Sequence, residues 1–328
     1  MSYAEKARVA VLRGGPSSEY HISLRTGATV LANLPEKYHP LDVFIDREGL
    51  WHLRGKMEEP HAVLGKVDLV WNALHGEYGE DGTVQHLLEA HGTPFTGPKR
   101  FAATLSQNKL LAKKAAERSG IKTPYYKFLR REETPSLHAA AGELYRTFPQ
   151  PCIVKPASKG SSIGIFLSAS QDEIAEALFE VFAIGEVALI EEYIDGREAI
   201  CAIIEGFRGE EHYSLLPVEV RLPSEREFLD FRTRYEGEST HLCPGKFSAA
   251  EKAELQELAI RMHRLLHLRH YSRSDFIVHP RRGIFFLETD ALPDLYDERS
   301  SFPQSLKSVG ATIPAFLEHV LTLAQERK

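Results

Sequence analysis

The sequence is poor in cysteine, with only Cys152, Cys201 and Cys243 in 328 residues. An odd, widely spaced trio excludes a disulfide framework and lacks zinc-ligand spacing. Two of the three sit in apolar strand-like runs, so buried free thiols are expected. No uninterrupted apolar run approaches the ~20 residues of a membrane span. A basic excess is missing too: 40 Lys and Arg against 46 Asp and Glu leave a net charge of −6. That argues against a general nucleic-acid or membrane-surface binder but leaves room for local basic clusters around a small anion. The opening residues are polar and lead straight into a strand, so no secretory leader is expected. The expected setting is the cytoplasm, and the expected partners are small molecules, with neither nucleic acid nor membrane. The remainder, 43% hydrophobic and 26% charged, is ordinary for a globular chain long enough for two or three domains.

What is present is organised around residues 152–164, Cys-Ile-Val-Lys-Pro-Ala-Ser-Lys-Gly-Ser-Ser-Ile-Gly. A short apolar strand ends at Lys155 and Pro156, and a loop of two glycines and three hydroxyls leads to a second strand, 163–168. Such a loop can aim backbone N–H groups at an anion, and lysines beneath and within it suit a polyphosphate. It is not a Walker A loop, which needs Gly-x4-Gly-Lys-Ser/Thr opening a helix. An ordinary polar hairpin is the alternative.

Upstream, strands are expected at 8–13, 39–45 and 67–73, the first followed by a helix from Ser23 to residue 34. Glycine-rich loops follow strands one and three, giving parallel βαβ units with ligands at the strands' carboxyl ends. Glu19 and His75 occupy matching places there, as substrate contacts or as solvated and structural residues. A helix over 99–120 carries Lys109 near its middle, and an edge strand over 125–129 and a helix over 134–148 lead to the central loop. Downstream, 172–183 is helical and 187–193 is a strand ending in Glu191 and Glu192. Strands follow at 197–205 and 213–220, then an irregular segment, 228–244, of the kind that makes a lid or binding loop. Ser248 and Glu251 form a capping box for a long helix to residue 266. Strands 271–278 and 283–288 pair as a hairpin, and a helix over 313–325 closes the chain.

On that hairpin Asp275 lies on one strand, while Glu288 and Asp290, two apart, share a face of the next. Three carboxylates beside a phosphate loop make a hard oxygen site suited to Mg²⁺, or else three solvated acids. Arg273 points to the side of Asp275 and would face an oxyanion or form a surface ion pair.

Together these residues resemble the D-alanine–D-alanine ligase family of the ATP-grasp superfamily over almost the whole chain, from Val9 to about Leu321. The resemblance is carried by residues 9–19, 72–85 (Asn-Ala-Leu-His-Gly-Glu-Tyr-Gly-Glu-Asp-Gly-Thr-Val-Gln), 94–97, 108–110, 154–164, 191–198 and 272–276. It implies an ATP-grasp fold of mixed α/β and α+β character behind an open parallel, Rossmann-like N-terminal domain. The expected units are 1–98, 99–186 and 187–328. The implied reaction is a two-step ligation: ATP phosphorylates one D-alanine, and the amine of a second attacks the acyl phosphate, supplying peptidoglycan synthesis. By resemblance Lys109 and Lys155 hold ATP phosphates, with Ser162 and Arg234 on the nucleotide side. Glu191 and the backbone near Tyr193 take the adenine, and Glu198 the ribose. Asp275, Glu288 and Asp290 take Mg²⁺, with Mn²⁺ as a substitute. Glu19 binds the first ammonium, His75 lies near its carboxylate, and Arg273 stabilises acyl phosphate and oxyanion. Ser161 and Tyr235 join Glu19 in closing the loop, which excludes water. Dimers are common in the family, so a homodimer is expected, although no residue marks an interface.

The chain departs from the family's ending, Glu-x-Asn-Thr-x-Pro-Gly. Asn becomes Asp290 and the oxyanion-hole glycine becomes Asp294. The serine for the second substrate's carboxylate falls at Arg299 or Ser300. Lys159 replaces a loop acid, and Arg234 replaces the mobile-loop lysine. The ATP half matches and the acceptor half is altered. Rival readings are a ligase for another acceptor (a different D-amino acid, a hydroxy acid or an L-amino acid) and a non-catalytic nucleotide-binding relative.

Overall fold

The structure is a computed structural model that describes residues 6–158, 164–221 and 240–326. Lys159, Ser161, Ser162, Arg234 and Tyr235 lie outside the described residues. Three sheets form it. The first has the order β4-β3-β2-β1-β5, built from β1 (Ala7–Gly14), β2 (Tyr38–Ile45), β3 (Trp51–Leu53), β4 (Lys56–Met57) and β5 (Leu69–Asn72). β1 runs parallel to β2 and β5, as the strand–loop–helix repeats require. The two antiparallel end strands β3 and β4 had no sequence counterpart. Helices α1 (Tyr20–Asn33), α2 (Pro60–Leu64) and α3 (Thr83–His91) complete this unit. Gly14 turns the chain at φ +95°, where a Cβ would stand 2.2 Å from the Ile45 carbonyl oxygen, so only glycine fits. Ser23 lies inside α1 rather than capping it. Its hydroxyl accepts from the Gly14 N–H and donates to the Ala73 carbonyl, both at 2.8 Å.

The helix expected over 99–120 is two, α4 (Arg100–Gln107) and α5 (Lys109–Arg118). Asn108 is extended between them and caps α5 by accepting from the Leu111 N–H, as asparagine does at a helix start. Lys109 therefore opens a helix instead of sitting mid-helix. The second sheet has the order β6-β9-β7-β8: β6 (Tyr126–Arg130), β7 (Cys152–Pro156), β8 (Phe166–Ser168) and β9 (Val187–Glu192). It is backed by α6 (Leu137–Thr147) and α7 (Gln171–Ile184). β9 was expected to open the C-terminal unit, but it pairs with β6 and β7. Sequence position alone cannot reveal that choice of neighbours.

The third sheet runs β13-β12-β10-β14-β15 with β11 beside β10: β10 (Arg197–Glu205), β11 (His212–Ser214), β12 (Val218–Arg221), β13 (Thr240–Leu242), β14 (Tyr271–His279) and β15 (Gly283–Asp290). The single strand expected over 213–220 is β11 and β12, broken before Val218 where Pro217 offers no N–H. Helix α8 (Ala249–Leu265) starts with the capping box of Ser248 and Glu251. α4, α5 and α8 share one apolar core with β10, β14 and β15 through Ala102, Ala112, Leu255, Met262 and Phe286. α9 (Ser301–Ser308) and α10 (Ile313–Glu326) fill the space between the first and third sheets. There Trp71 stacks on Tyr271 at 6.0 Å, and Phe302 and Phe316 close the cluster. The first unit thus buries one face only with the help of the chain's end. All three cysteines are free thiols. No helix among the described residues is long and apolar enough to cross a membrane.

Candidate active site

A cavity of about 460 Å³ opens between the second and third sheets. Its walls are Ile153 and Lys155 of β7, Tyr193 and Ile194 beyond β9, Val220 of β12, and Ile277 and Leu287 of the hairpin, with Glu198 at its rim. Apolar walls with a few placed charges, at this volume, suit a planar heterocycle bearing polar groups. The β9–β10 connection reaches the wall at Gly196, where a Cβ would meet the Val278 carbonyl oxygen at 2.7 Å. The Tyr193 N–H, expected at the adenine, donates to the Pro151 carbonyl at 3.3 Å.

The Glu191 carboxylate, also expected at the adenine, lines the same cavity and is held there by two lysines. One oxygen lies 2.5 Å from Lys113 Nζ and the other 2.6 Å from Lys155 Nζ. Burial pushes the Glu191 carboxyl up, but the two ammoniums outweigh it and hold it below the usual range. Burial pushes Lys113 down to about 8, with Glu191 resisting and Lys155 adding to the fall. Lys113, 0% exposed, was not singled out from the sequence. Its signal was there: it follows Lys109 by four and shares its helix face.

On the hairpin Asp275 stands opposite Glu288, and Arg273 opposite Asp290. Lys109 Nζ is 2.9 Å from Glu288, which brings one of the expected phosphate lysines to one of the three acids. Arg273 is buried among acids: Nε lies 3.3 Å from Asp275, Nη2 3.2 Å from Asp290 and Nη1 3.9 Å from Asp294. It is no surface ion pair. Among the described residues the donor oxygens of Asp275, Glu288 and Asp290 do not all lie within 4.8 Å of one another. Three carboxylates on adjoining rungs, beside a lysine-lined cleft, are nevertheless the hard oxygen set that Mg²⁺ takes when phosphates complete its shell.

The loops of the first sheet supply the other wall. Glu19 and His75 are buried. Ser17 links them, accepting from the Glu19 N–H at 3.1 Å and donating to the His75 carbonyl at 2.7 Å. Gly76 packs against both Ser17 and Glu19; a Cβ there would come within 3.3 Å of Glu19 Oε1. His75 Nε2 bonds Thr26 at 2.9 Å, and Nδ1 lies 3.4 Å from Glu80. Glu80 was visible as one of three loop acids but carried no assigned role. Burial, reinforced by Asp290, raises its carboxyl well above the usual range, against the pull of Arg273 and Lys109. It therefore connects the His75 loop to the Arg273 cluster electrostatically.

On the acceptor side the expected residues divide. Asp294 is buried, and its Oδ1 accepts no hydrogen bond among the described residues. Ser300 is buried too, but its hydroxyl donates to the Asp297 carbonyl at 2.7 Å. Arg299 is turned out, its side chain 83% exposed and forked on Asp297 at 2.8 and 3.1 Å. The neighbouring Tyr296 ring lies under Arg25 of α1 at 3.9 Å, tying this loop to the first unit.

The same arrangement of units recurs in known proteins. The family described as D-ala D-ala ligase C-terminus matches residues 115–322, and that described as D-ala D-ala ligase N-terminus matches 8–64 and 52–98. The D-alanine–D-alanine ligase of Syntrophobacter fumaroxidans is 33% identical over 98% of this chain and 99% of its own. That of Citrifermentans bemidjiense is 34% identical over 98% and 96%. Among solved structures, the VanG D-Ala:D-Ser ligase of Enterococcus faecalis superposes with TM-score 0.84 at 26% identity. It covers 98% of this chain and 100% of that one. The D-alanyl-alanine synthetase A of Vibrio cholerae gives 0.84 at 25% identity over 99% and 100%. A lysine-lined cleft between two sheets, ending at an arginine ringed by acids, on a backbone shared from end to end, places the chain in the D-alanine–D-alanine ligase family, with its ATP-grasp fold.

Proposed function

We propose that the protein joins two molecules of D-alanine at the expense of ATP, through an acyl phosphate, supplying D-alanyl-D-alanine for peptidoglycan. The observation that carries this reading is the continuity of charge. Lys155 and Lys109 line the way from the apolar cavity to the hairpin acids around Arg273, and the buried His75, linked to Glu19 through Ser17, meets the same cluster through Glu80. The adenine fits the apolar cavity with the ribose at Glu198, and the lysines neutralise the phosphates. Asp275, Glu288 and Asp290 would hold Mg²⁺, which when bound shields the charge between phosphate oxygens. Glu19 takes the ammonium of the first D-alanine and aims its carboxylate at the γ-phosphorus. A carboxylate oxygen bonds to phosphorus and ADP leaves. The amine of the second D-alanine then attacks the acyl carbon, and Arg273 stabilises the resulting oxyanion. The C–O bond to phosphate breaks, and inorganic phosphate departs with that oxygen.

Asp294 favours a second reading. A buried carboxylate oxygen that accepts no hydrogen bond among the described residues, near Arg273, suits an acceptor bearing a hydroxyl, such as D-serine. Incubation with Mg-ATP and D-alanine, then with D-serine, D-lactate and L-alanine, separates the readings by product. D-Alanyl-D-alanine formed stoichiometrically with ADP and phosphate supports the first. ATP binding without product from any acceptor contradicts both. The three-unit organisation, a cytoplasmic setting and a homodimer belong to the same reading, and sedimentation velocity tests the last.

A further inference from the structure

At the opposite end of β10 from Glu198, three metal-binding side chains converge. Glu198 at the cleft and Glu205 are seven residues apart, about 23 Å along a strand. Glu205 Oε1 lies 3.4 Å from His263 Nε2 of α8 and 3.9 Å from His212 Nε2 of β11. All three residues offer donor atoms within 4.8 Å of one another, which no other set of His, Cys, Asp or Glu does among the described residues. They come from three separate elements, so only the tertiary fold assembles them.

We propose that Glu205, His212 and His263 form a site for a first-row divalent transition ion, represented by Zn²⁺, which pins β10, β11 and α8 together. Two imidazoles and a carboxylate suit such an ion, and three protein ligands leave the fourth tetrahedral position for water. With bonds of about 2.0–2.1 Å, tetrahedral ligand atoms stand roughly 3.4 Å apart. The Glu205–His263 pair already has that spacing, while His212 stands about half an ångström beyond it from Glu205 and within 4.8 Å of His263, so His212 has to move inward.

The outer partners are in place. His263 Nδ1 bonds the Ser272 hydroxyl at 2.7 Å, which orients Nε2 toward the centre. The second Glu205 oxygen accepts from the His270 N–H at 2.7 Å. His212 Nδ1 now meets Arg264 at 3.1 Å. With metal on Nε2 that nitrogen carries a proton and turns to Glu211, 3.7 Å away. Arg264, its side chain 55% exposed, already contacts Glu211 at 3.3 Å and swings clear. Glu205, His212 and His263 are not among the residues assigned to the ligation, and Ser272, their outer partner, points to the opposite face of β14 from Arg273.

The test uses untagged full-length protein stripped by a chelator and titrated with Zn²⁺ in excess Mg²⁺, which occupies hard oxygen sites. One equivalent should bind and raise Tm, and Co²⁺ in its place should give the visible absorption of a tetrahedral ion. His212 sits at the rim, so His212→Asn should keep its metal-free Tm while losing that equivalent and the Zn²⁺-dependent shift. Ser272→Ala should bind about 10-fold more weakly or worse. Equal Zn²⁺ binding by the parent protein, His212→Asn and Ser272→Ala, or no saturable binding by the parent, overturns the proposal.

Discussion

Replacing Glu191 by Gln keeps its shape and removes one charge. The carboxylate sits between Lys113 and Lys155 at 2.5 and 2.6 Å, and all three groups are buried. The triad carries one net positive charge, and the variant leaves two ammoniums without their counter-charge. Breaking a buried pair from one side costs about 3–5 kcal/mol, and the same should be lost here in urea unfolding at pH 7. The pH dependence follows from the sign of the shift. Lys113 in the folded chain lies at about 8, below its ordinary 10.5. The unfolded chain therefore binds more protons between those values, and stability rises with pH across that window. Without Glu191 the folded-state value falls further and relief begins earlier, so the gap between variant and parent should narrow from pH 7 to 9.5. A loss under about 1 kcal/mol, constant over that range, would refute the triad as a coupled electrostatic unit.

Lys113→Met leaves a neutral Lys155–Glu191 pair. Stability should change by less than about 1 kcal/mol or improve, and the rise of stability above pH 8 should flatten, as denaturation at several pH values will show. Arg273→Lys keeps the charge but loses the fork that reaches Asp275, Asp290 and Asp294. Turnover should fall by about 10²–10³ in a phosphate-release assay, with the fold intact by circular dichroism. If Asp294 holds an acceptor hydroxyl, Asp294→Ala should lower kcat/KM for D-serine relative to D-alanine by roughly tenfold, the worth of a hydrogen bond to a charged group. An unchanged ratio sends the acceptor's recognition elsewhere.

The parallel first sheet, the 271–290 hairpin and the capping box of α8 were legible because local pattern and tertiary role agree there. The rung that sets Arg273 against Asp290 was not, because a bulge after Asp275 shifts the pairing by one residue from what the hairpin turn alone would give. What escaped was set by contacts distant in sequence. The assignment of β9 to the second sheet depends on its pairing with β6 and β7. The cover that Phe302 and Phe316 give to Trp71 joins the chain's two ends. Lys113 looked like one more helix lysine because burial is not written in charge. Arg299 looked like an acceptor contact, but Asp297 two residues before it offers a nearer carboxylate. Glu191 does line the cavity expected for the adenine, but its pairing with the buried Lys113 escaped with that lysine.

The central claim is that the carboxylate of one amino acid becomes bonded to the γ-phosphoryl group in this cleft. D-Alanine labelled with ¹⁸O in its carboxylate, turned over with Mg-ATP, tests it by mass analysis of the released phosphate. The account predicts one ¹⁸O in each inorganic phosphate formed with dipeptide. Unlabelled phosphate accompanying dipeptide would contradict it.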